Sequence, residues 1–250
     1  MNKAISICAL VCAASLSAQD GRQIIEESQK RQQVDSQRYE GTLQVIDSRG
    51  KVTDKRWQSD RIGSFGNSKI VLRFTAPAEV KGVALLVVNH PDRASDQWMW
   101  IPANERERRI SLQDRRTRFF GTDFSFEDLE ERDVNQYDYK LLGDDSVDGA
   151  PCWKIQSKPK QTKTSQYTSV TIWIRKDNYI AAQVESFSKE QLVRRLNYRQ
   201  IEKVQNIWAA RTLDMNDLTR KSRTLLKLEK LQFNAPVKEE DFTVASLRRQ

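Results

Sequence analysis

The sequence predicts a mainly β protein with few helices, folded as an antiparallel meander that is closed or half closed. Three observations carry that expectation. From Tyr39 to Phe233, segments with strand-like alternation follow one another with little interruption, and a period of two is that of a half-buried strand. The connections are short and built from Asp, Asn, Ser and Gly, as in "DSRG" at 47–50 and "KDN" at 176–178, residues that permit tight hairpin turns. Finally, "VALLVV" at 83–88 is apolar on both faces, which asks for a central strand covered on each side.

In chain order, residues 1–18 read "MNKAISICALVCAASLSA": one lysine, a short apolar run, then small residues. This is the pattern of a signal peptide, with cleavage expected after Ala18. The apolar run is shorter than the roughly 20 residues that span a bilayer. Val11 before Cys12 and Ile7 before Cys8 are too bulky for lipoprotein processing. The chain is therefore expected to be exported and soluble, with residues 19–250 as one domain. The mature chain keeps only Cys152, so no internal disulfide is expected and Cys152 is given no role.

A weak helix is expected over 21–34, "GRQIIEESQKRQQV". Strands are expected over 39–47, 51–61, 69–74 and 83–88, then over 137–142, 152–157, 167–175, 179–187, 191–204, 207–215 and 222–233. In 69–74 Ile70, Leu72 and Phe74 share one side, against Val71 and Arg73. A short helical piece, "PVKEEDFTVASLRR", ends the chain.

Between the halves, residues 98–129 combine aromatic surface with fixed charge. Trp98 and Trp100 stand two apart, so on a strand they point the same way, with Met99 and Ile101 opposite. Pro102 and Asn104 turn the chain. A basic loop over 105–118 then carries six arginines against three acids. Ser125 to Asp128 fits a capping box and Phe124 can clamp Leu129, so a helix is expected from Phe126.

Composition narrows the function. The net charge of +8 raises polyanionic partners, but export points away from nucleic acid and toward lipid head groups and envelope polymers. The single histidine, His90, gives no triad and no multi-histidine metal site. Asp144–Asp145 and Glu239–Glu240 sit in contexts where solvation explains them, and no P-loop or dinucleotide fingerprint occurs. No catalysis, cofactor or metal is expected. The aromatic and apolar faces have two readings: ordinary core, or the wall of a concavity filled by a ligand. The arginine run likewise reads as a solvated, partly self-paired loop or as a dock for phosphates or an acidic partner.

The segment "APAEVKGVALLVV … DQWMWIPANERERRISLQDRRTRFFGTDFSFEDLEERD" resembles the LolA-like family of outer-membrane lipoprotein-sorting proteins, in the branch associated with RND/MMPL-type exporters. The resemblance rests on Trp98 to Pro102, Arg108 to Ser111, Asp114 to Arg116 and Gly121 to Asp128, in order across some fifty residues. It implies a strongly curved antiparallel sheet, an unclosed barrel, with helices covering the concave face. It also implies a periplasmic, non-enzymatic carrier that binds acyl chains of lipoproteins or lipids for transfer toward the outer membrane. Transient membrane-surface contact and an inner-membrane RND/MMPL-type exporter as partner go with that reading. The alternative is a lipid or lipoprotein sensor that regulates a membrane partner. From face alternation, the cavity is expected to be lined by Leu72, Phe74, Leu85, Val87, Trp98, Trp100, Phe119, Phe120, Ile172 and Ile174. Arg108, Arg109, Arg115 and Arg116 are expected to dock head groups or a partner.

Overall fold

The computed structural model describes residues 20–131, 133–160 and 165–249. The expected signal peptide lies outside the described residues. Two runs of strands build one sheet. The first is β1 (Ser36–Ile46), β2 (Val52–Ser64), β3 (Asn67–Ala76), β4 (Ala84–Val88), β5 (Asp96–Ile101) and β6 (Arg106–Arg109). The second is β7 (Tyr137–Val147), β8 (Ala150–Pro159), β9 (Ser169–Arg175), β10 (Ala181–Ser188), β11 (Gln191–Val204), β12 (Ile207–Asp217) and β13 (Ser222–Phe233). The spatial order is β6-β5-β4-β3-β2-β1-β13-β12-β11-β10-β9-β8-β7. Each run is a meander of neighbours, and the pairing of β1 with β13 joins them. The sheet curves but does not close, leaving β6 and β7 as its edges.

Local chemistry explains the turns. The Asp47 carboxylate accepts from the backbone N–H of Arg49 at 2.8 Å and of Lys51 at 2.9 Å, folding β1 back onto β2. In β13 a bulge opposite Tyr39 puts Lys230 in the left-handed region at φ 46°. The extra residue resets the alternation, so Leu226 and Leu228 before it and Leu231 and Phe233 after it all face the hollow.

Among the described residues there is one α-helix, α1 (Gly21–Arg31). Its N-terminus is a reciprocal box: Asp20 accepts from the Gln23 backbone at 2.8 Å, and the Gln23 side chain accepts from the Asp20 backbone at 3.2 Å. Ile24 and Ile25 are buried and pack with Ile155 of β8 and Ile174 of β9, so the helix fills the hollow under the second meander. No helix among the described residues is long and apolar enough to cross a membrane.

One expected helix is corrected. The chain from Phe126 makes only a 3₁₀ turn, Glu127–Leu129. The capping contacts do form, with Ser125 N donating to Asp128 Oδ2 at 2.7 Å, and Phe124 and Leu129 join one apolar cluster. Glu130 then turns extended, because Glu130 and Glu131 are drawn off to arginine partners. The short helical piece expected at the C-terminus takes the form of two 3₁₀ turns, Glu239–Asp241 and Ala245–Arg248. The cover of the first meander is thus an irregular segment, 110–131, in place of a helix. The basic loop also begins as edge strand β6.

Candidate functional site

Between the sheet, the C-terminal end of α1 and the segment 110–131 lies a cavity of about 400 Å³, within the roughly 300–1,000 Å³ of small-ligand sites. Its apolar wall comes from Ile70, Leu72, Leu85 and Val87 of the first meander and from Leu213, Leu226, Leu228 and Leu231 of β12 and β13. Ile180, Ala181, Ile207, Trp208 and Phe233 complete it. The shared face follows from register: Leu72 stands opposite Leu85 across β3 and β4, and Leu213 opposite Leu226 across β12 and β13.

A polar stripe crosses this wall along β2, where Trp57, Ser59 and Arg61 alternate into the cavity beside Tyr39 of β1. Arg61 is buried and pairs with Glu131, whose second oxygen accepts from Ser68 Oγ. Burial pushes the Tyr39 hydroxyl up to about 12, outweighing hydrogen bonds to Ser59 and Trp57 that work the other way. Asp128, also on the wall, pairs with Arg194 and accepts from the Tyr167 hydroxyl at 2.8 Å. Burial, reinforced by the Asp128 charge, raises the Tyr167 hydroxyl well above its ordinary range. These pairs bind the segment 110–131 to both meanders. Among the described residues, no group of three His, Cys, Asp or Glu side chains is arranged to hold a metal.

Of the expected lining residues, the structure brings Leu72, Leu85 and Val87 to the cavity. Phe74 faces the same way but is sealed by Phe119, stacked on it with centroids 5.3 Å apart. Phe119 and Phe120 are a plug: Phe119 is fully buried and meets Phe120 and Phe126 edge-on at 5.4 Å. Ile172 and Ile174 belong to the cluster closed by α1. Trp98 and Trp100 lie on the opposite face. Trp98 is in register with Leu86, and Met99 with Leu85, so Met99 shares the hollow side while both tryptophans pack with Leu86, Phe242 and Leu247 under the C-terminal turns. A displacement of one residue in register exchanges the faces, and the alternation of β5 alone does not fix it.

The arginines also divide. Arg115 is buried and paired with Glu130, which removes it from any docking role. Arg108 pairs with Asp114 at 2.5 Å and Arg109 with Asp96 at 2.5 Å, both with largely exposed guanidinium groups. Arg116 is exposed. Residues that sequence reasoning missed include Trp57, Ser59 and Arg61. Their spacing of two in β2 was a usable signal, obscured by the many polar neighbours in 51–61.

A family model described as an uncharacterized protein matches residues 66–249. No curated protein matches the chain. Solved structures do. A domain from Vibrio parahaemolyticus assigned to an outer membrane lipoprotein-sorting protein is 25% identical, with a TM-score of 0.86 over 92% of this chain and 98% of its own. A DUF1329 family protein from Desulfovibrio piger is 26% identical, with a TM-score of 0.86 over 91% and 97%. A LolA superfamily protein from Nitrosomonas europaea shares the fold at 19% identity and a TM-score of 0.71, over 90% and 98%. The chain therefore belongs to the family whose model spans residues 66–249, and its fold is the unclosed, curved LolA-like sheet of these solved structures.

Proposed function

We propose that the chain is a periplasmic carrier that binds acyl chains of lipoproteins or lipids in the hollow of its sheet and passes them toward the outer membrane. The observation that carries this reading is the apolar cavity of about 400 Å³ that the protein's own side chains leave open. A methylene fills about as much space as a water, roughly 30 Å³, so one chain of on the order of a dozen carbons fits. Each methylene withdrawn from water is worth about 0.8 kcal/mol. Leaving a bilayer costs a similar amount, so only an enclosed apolar wall makes extraction thermodynamically neutral. Leu72, Leu85 and Val87, joined by Leu213, Leu226 and Leu228, are the proposed acyl contacts.

Arg108, Arg109 and Arg116 are the proposed dock for phosphate head groups or an acidic partner. Exposed ion pairs such as Arg108–Asp114 are worth little, about 0–1 kcal/mol, so their guanidinium groups can exchange a carboxylate for a phosphate at small cost. An inner-membrane RND/MMPL-type exporter is the proposed donor.

The test is transfer of a pyrene-labelled acyl lipid from donor to acceptor vesicles. Wild type should shuttle the probe, and Leu213→Trp, which fills the cavity, should bind it at least about tenfold more weakly while keeping its β circular dichroism. Equal uptake by the folded variant would sink the cavity as the binding site. Uptake without delivery to acceptor vesicles would fit the sensor and not the carrier.

A further inference from the structure

At one end of the sheet, aromatic rings beside the hollow carry cations on their faces. Lys203 Nζ lies 5.4 Å from the Trp208 ring, Lys176 Nζ 5.6 Å from Trp153, and Arg31 Cζ 4.0 Å from Tyr179. Trp153 and Tyr179 also meet, with centroids 4.9 Å apart. Topology gathers these pairs. Alternate turns of an antiparallel meander share an end, so the β9–β10 turn, with Lys176 and Tyr179, lies at the same end as the β11–β12 turn, between Lys203 and Trp208. Ile180, Ala181, Ile207 and Trp208 line the hollow there. Ile207 and Trp208 are only half-buried, whereas Leu72, Leu85 and Val87 deeper in are fully buried. This end is the mouth.

The β11–β12 hairpin stands proud of its neighbour. Lys203 and Trp208 face each other across it in register. Pairing of β10 with β11 reaches Gln183 and Asn197, and β11 runs on to Val204, roughly 20 Å further along the strand.

Charge at the mouth is nearly balanced. Asp177 is engaged by Arg175 at 2.6 Å, Glu202 by Arg211 at 2.6 Å and Asp148 by Arg199 at 3.1 Å. Lys176 and Arg31 have their own carboxylates, Asp144 at 2.6 Å and Glu27 at 2.7 Å. Lys203 is exposed and bonds Asn206 Oδ1 at 3.4 Å, with no carboxylate paired to it among the described residues. A balanced surface does not draw polyanions from a distance. Tryptophan and tyrosine flanked by lysine or arginine are instead suited to a bilayer interface, with rings at head-group level and cations among the phosphates.

We infer that this mouth end is a docking surface for a phospholipid bilayer, with Trp208 of the projecting hairpin seated among the head groups and Lys203 on a lipid phosphate. This rests on the carrier reading and adds where the carrier meets the lipid: the hollow opens against the membrane. Arg108 and Arg109, on β6 at the other edge of the sheet, are left to an acidic partner.

Vesicles of phosphatidylethanolamine and phosphatidylglycerol containing a brominated lipid test the contact by quenching of tryptophan emission. Wild type should be quenched, and Trp208→Phe, which keeps an aromatic ring, should lose a large part of that quenching. Lys203→Gln should bind these vesicles about fivefold more weakly, the worth of one lysine at an anionic surface, and should match wild type on phosphatidylcholine vesicles. The pair Arg108→Gln and Arg109→Gln should bind as wild type does. Absence of quenching in wild type, full quenching of Trp208→Phe, or weakening by the β6 pair but not by Lys203→Gln would overturn the inference. Uptake of the pyrene-labelled acyl lipid, measured separately, keeps the two readings apart. Uptake without vesicle contact leaves the carrier standing and removes this dock, whereas quenching without uptake removes the carrier.

Discussion

At Gly41 a Cβ atom would lie 2.5 Å from Trp57 Nε1 and 2.8 Å from Leu226 Cδ1, so the absence of a side chain is what lets the indole and the leucine meet over β1. Both neighbours line the cavity. Gly41→Ala is therefore expected to push one of them into the hollow, costing about 1–3 kcal/mol as overpacking does and weakening acyl-probe uptake. Urea midpoints and a probe titration check the two effects, and a variant unchanged in both would refute the close approach. Trp98 gives the opposite expectation. It sits on the outer face with the Arg109 guanidinium 5.7 Å from its ring, so Trp98→Ala should lower stability by about 2 kcal/mol and leave uptake alone. A loss of uptake in folded protein would return Trp98 to the hollow. At this scale the sequence was half legible. Alternation placed Ile70, Leu72 and Phe74 on one face, but it carried no record of which residue of β5 stands opposite Leu85.

The two covers of the sheet are the elements on which the hollow depends. Inside, the segment 110–131 contributes Phe119, Phe124 and Phe126 to the core and is tied to the far meander where Asp123 accepts from Ser222 Oγ at 2.5 Å and Thr224 Oγ1 at 2.7 Å. Outside, the last turns drop Phe242 and Leu247 onto β3 to β5, and Arg73 Nη1 donates to the Leu247 carbonyl at 2.9 Å. With two-sided burial of Leu85 and Leu86 thus satisfied, β4 is the central strand its sequence announced. A chain ending after Ala235 is expected to melt at lower temperature and to show red-shifted tryptophan emission as Trp98 and Trp100 meet water. Unshifted emission would mean the turns are not their cover. Element boundaries were well legible where strand alternation ended in turn residues, as at β11 and β13. The covers were not, because a capping box marks where a helix can start. It does not say that Glu130 and Glu131 will be claimed by Arg115 and Arg61 before a second turn forms.

Across the whole molecule, a sheet that must curve around an unfilled space cannot rely on a solid core, and charged pairs take over part of the fastening. Several carboxylates are held low by them. For Asp214, burial works to raise the group, but hydrogen bonds from Arg223 at 2.6 Å and Arg199 at 3.3 Å outweigh it and the net direction is down. Asp96 follows the same pattern, with burial opposed and overcome by Arg93, Arg109 and His90. A carboxylate depressed in the fold stabilises it above its unfolded value, about 3.9, and that stability is lost as pH falls through the folded value. Tyr39 acts at the other end: its hydroxyl, raised by burial to about 12, favours the fold below the ordinary tyrosine value near 10 and loses that contribution as pH climbs from there to the folded value. Stability should therefore form a plateau between an acid limb below about pH 4 and an alkaline limb above about pH 10. Denaturant titrations across pH should find the acid limb shallower in Asp214→Asn and the alkaline limb shallower in Tyr39→Phe, each variant leaving the other limb in place. Because Tyr39 lines the cavity, an acyl occupant that buries it further should move the alkaline limb to still higher pH. An occupied protein whose limb stays at its unoccupied position would place the ligand away from this wall.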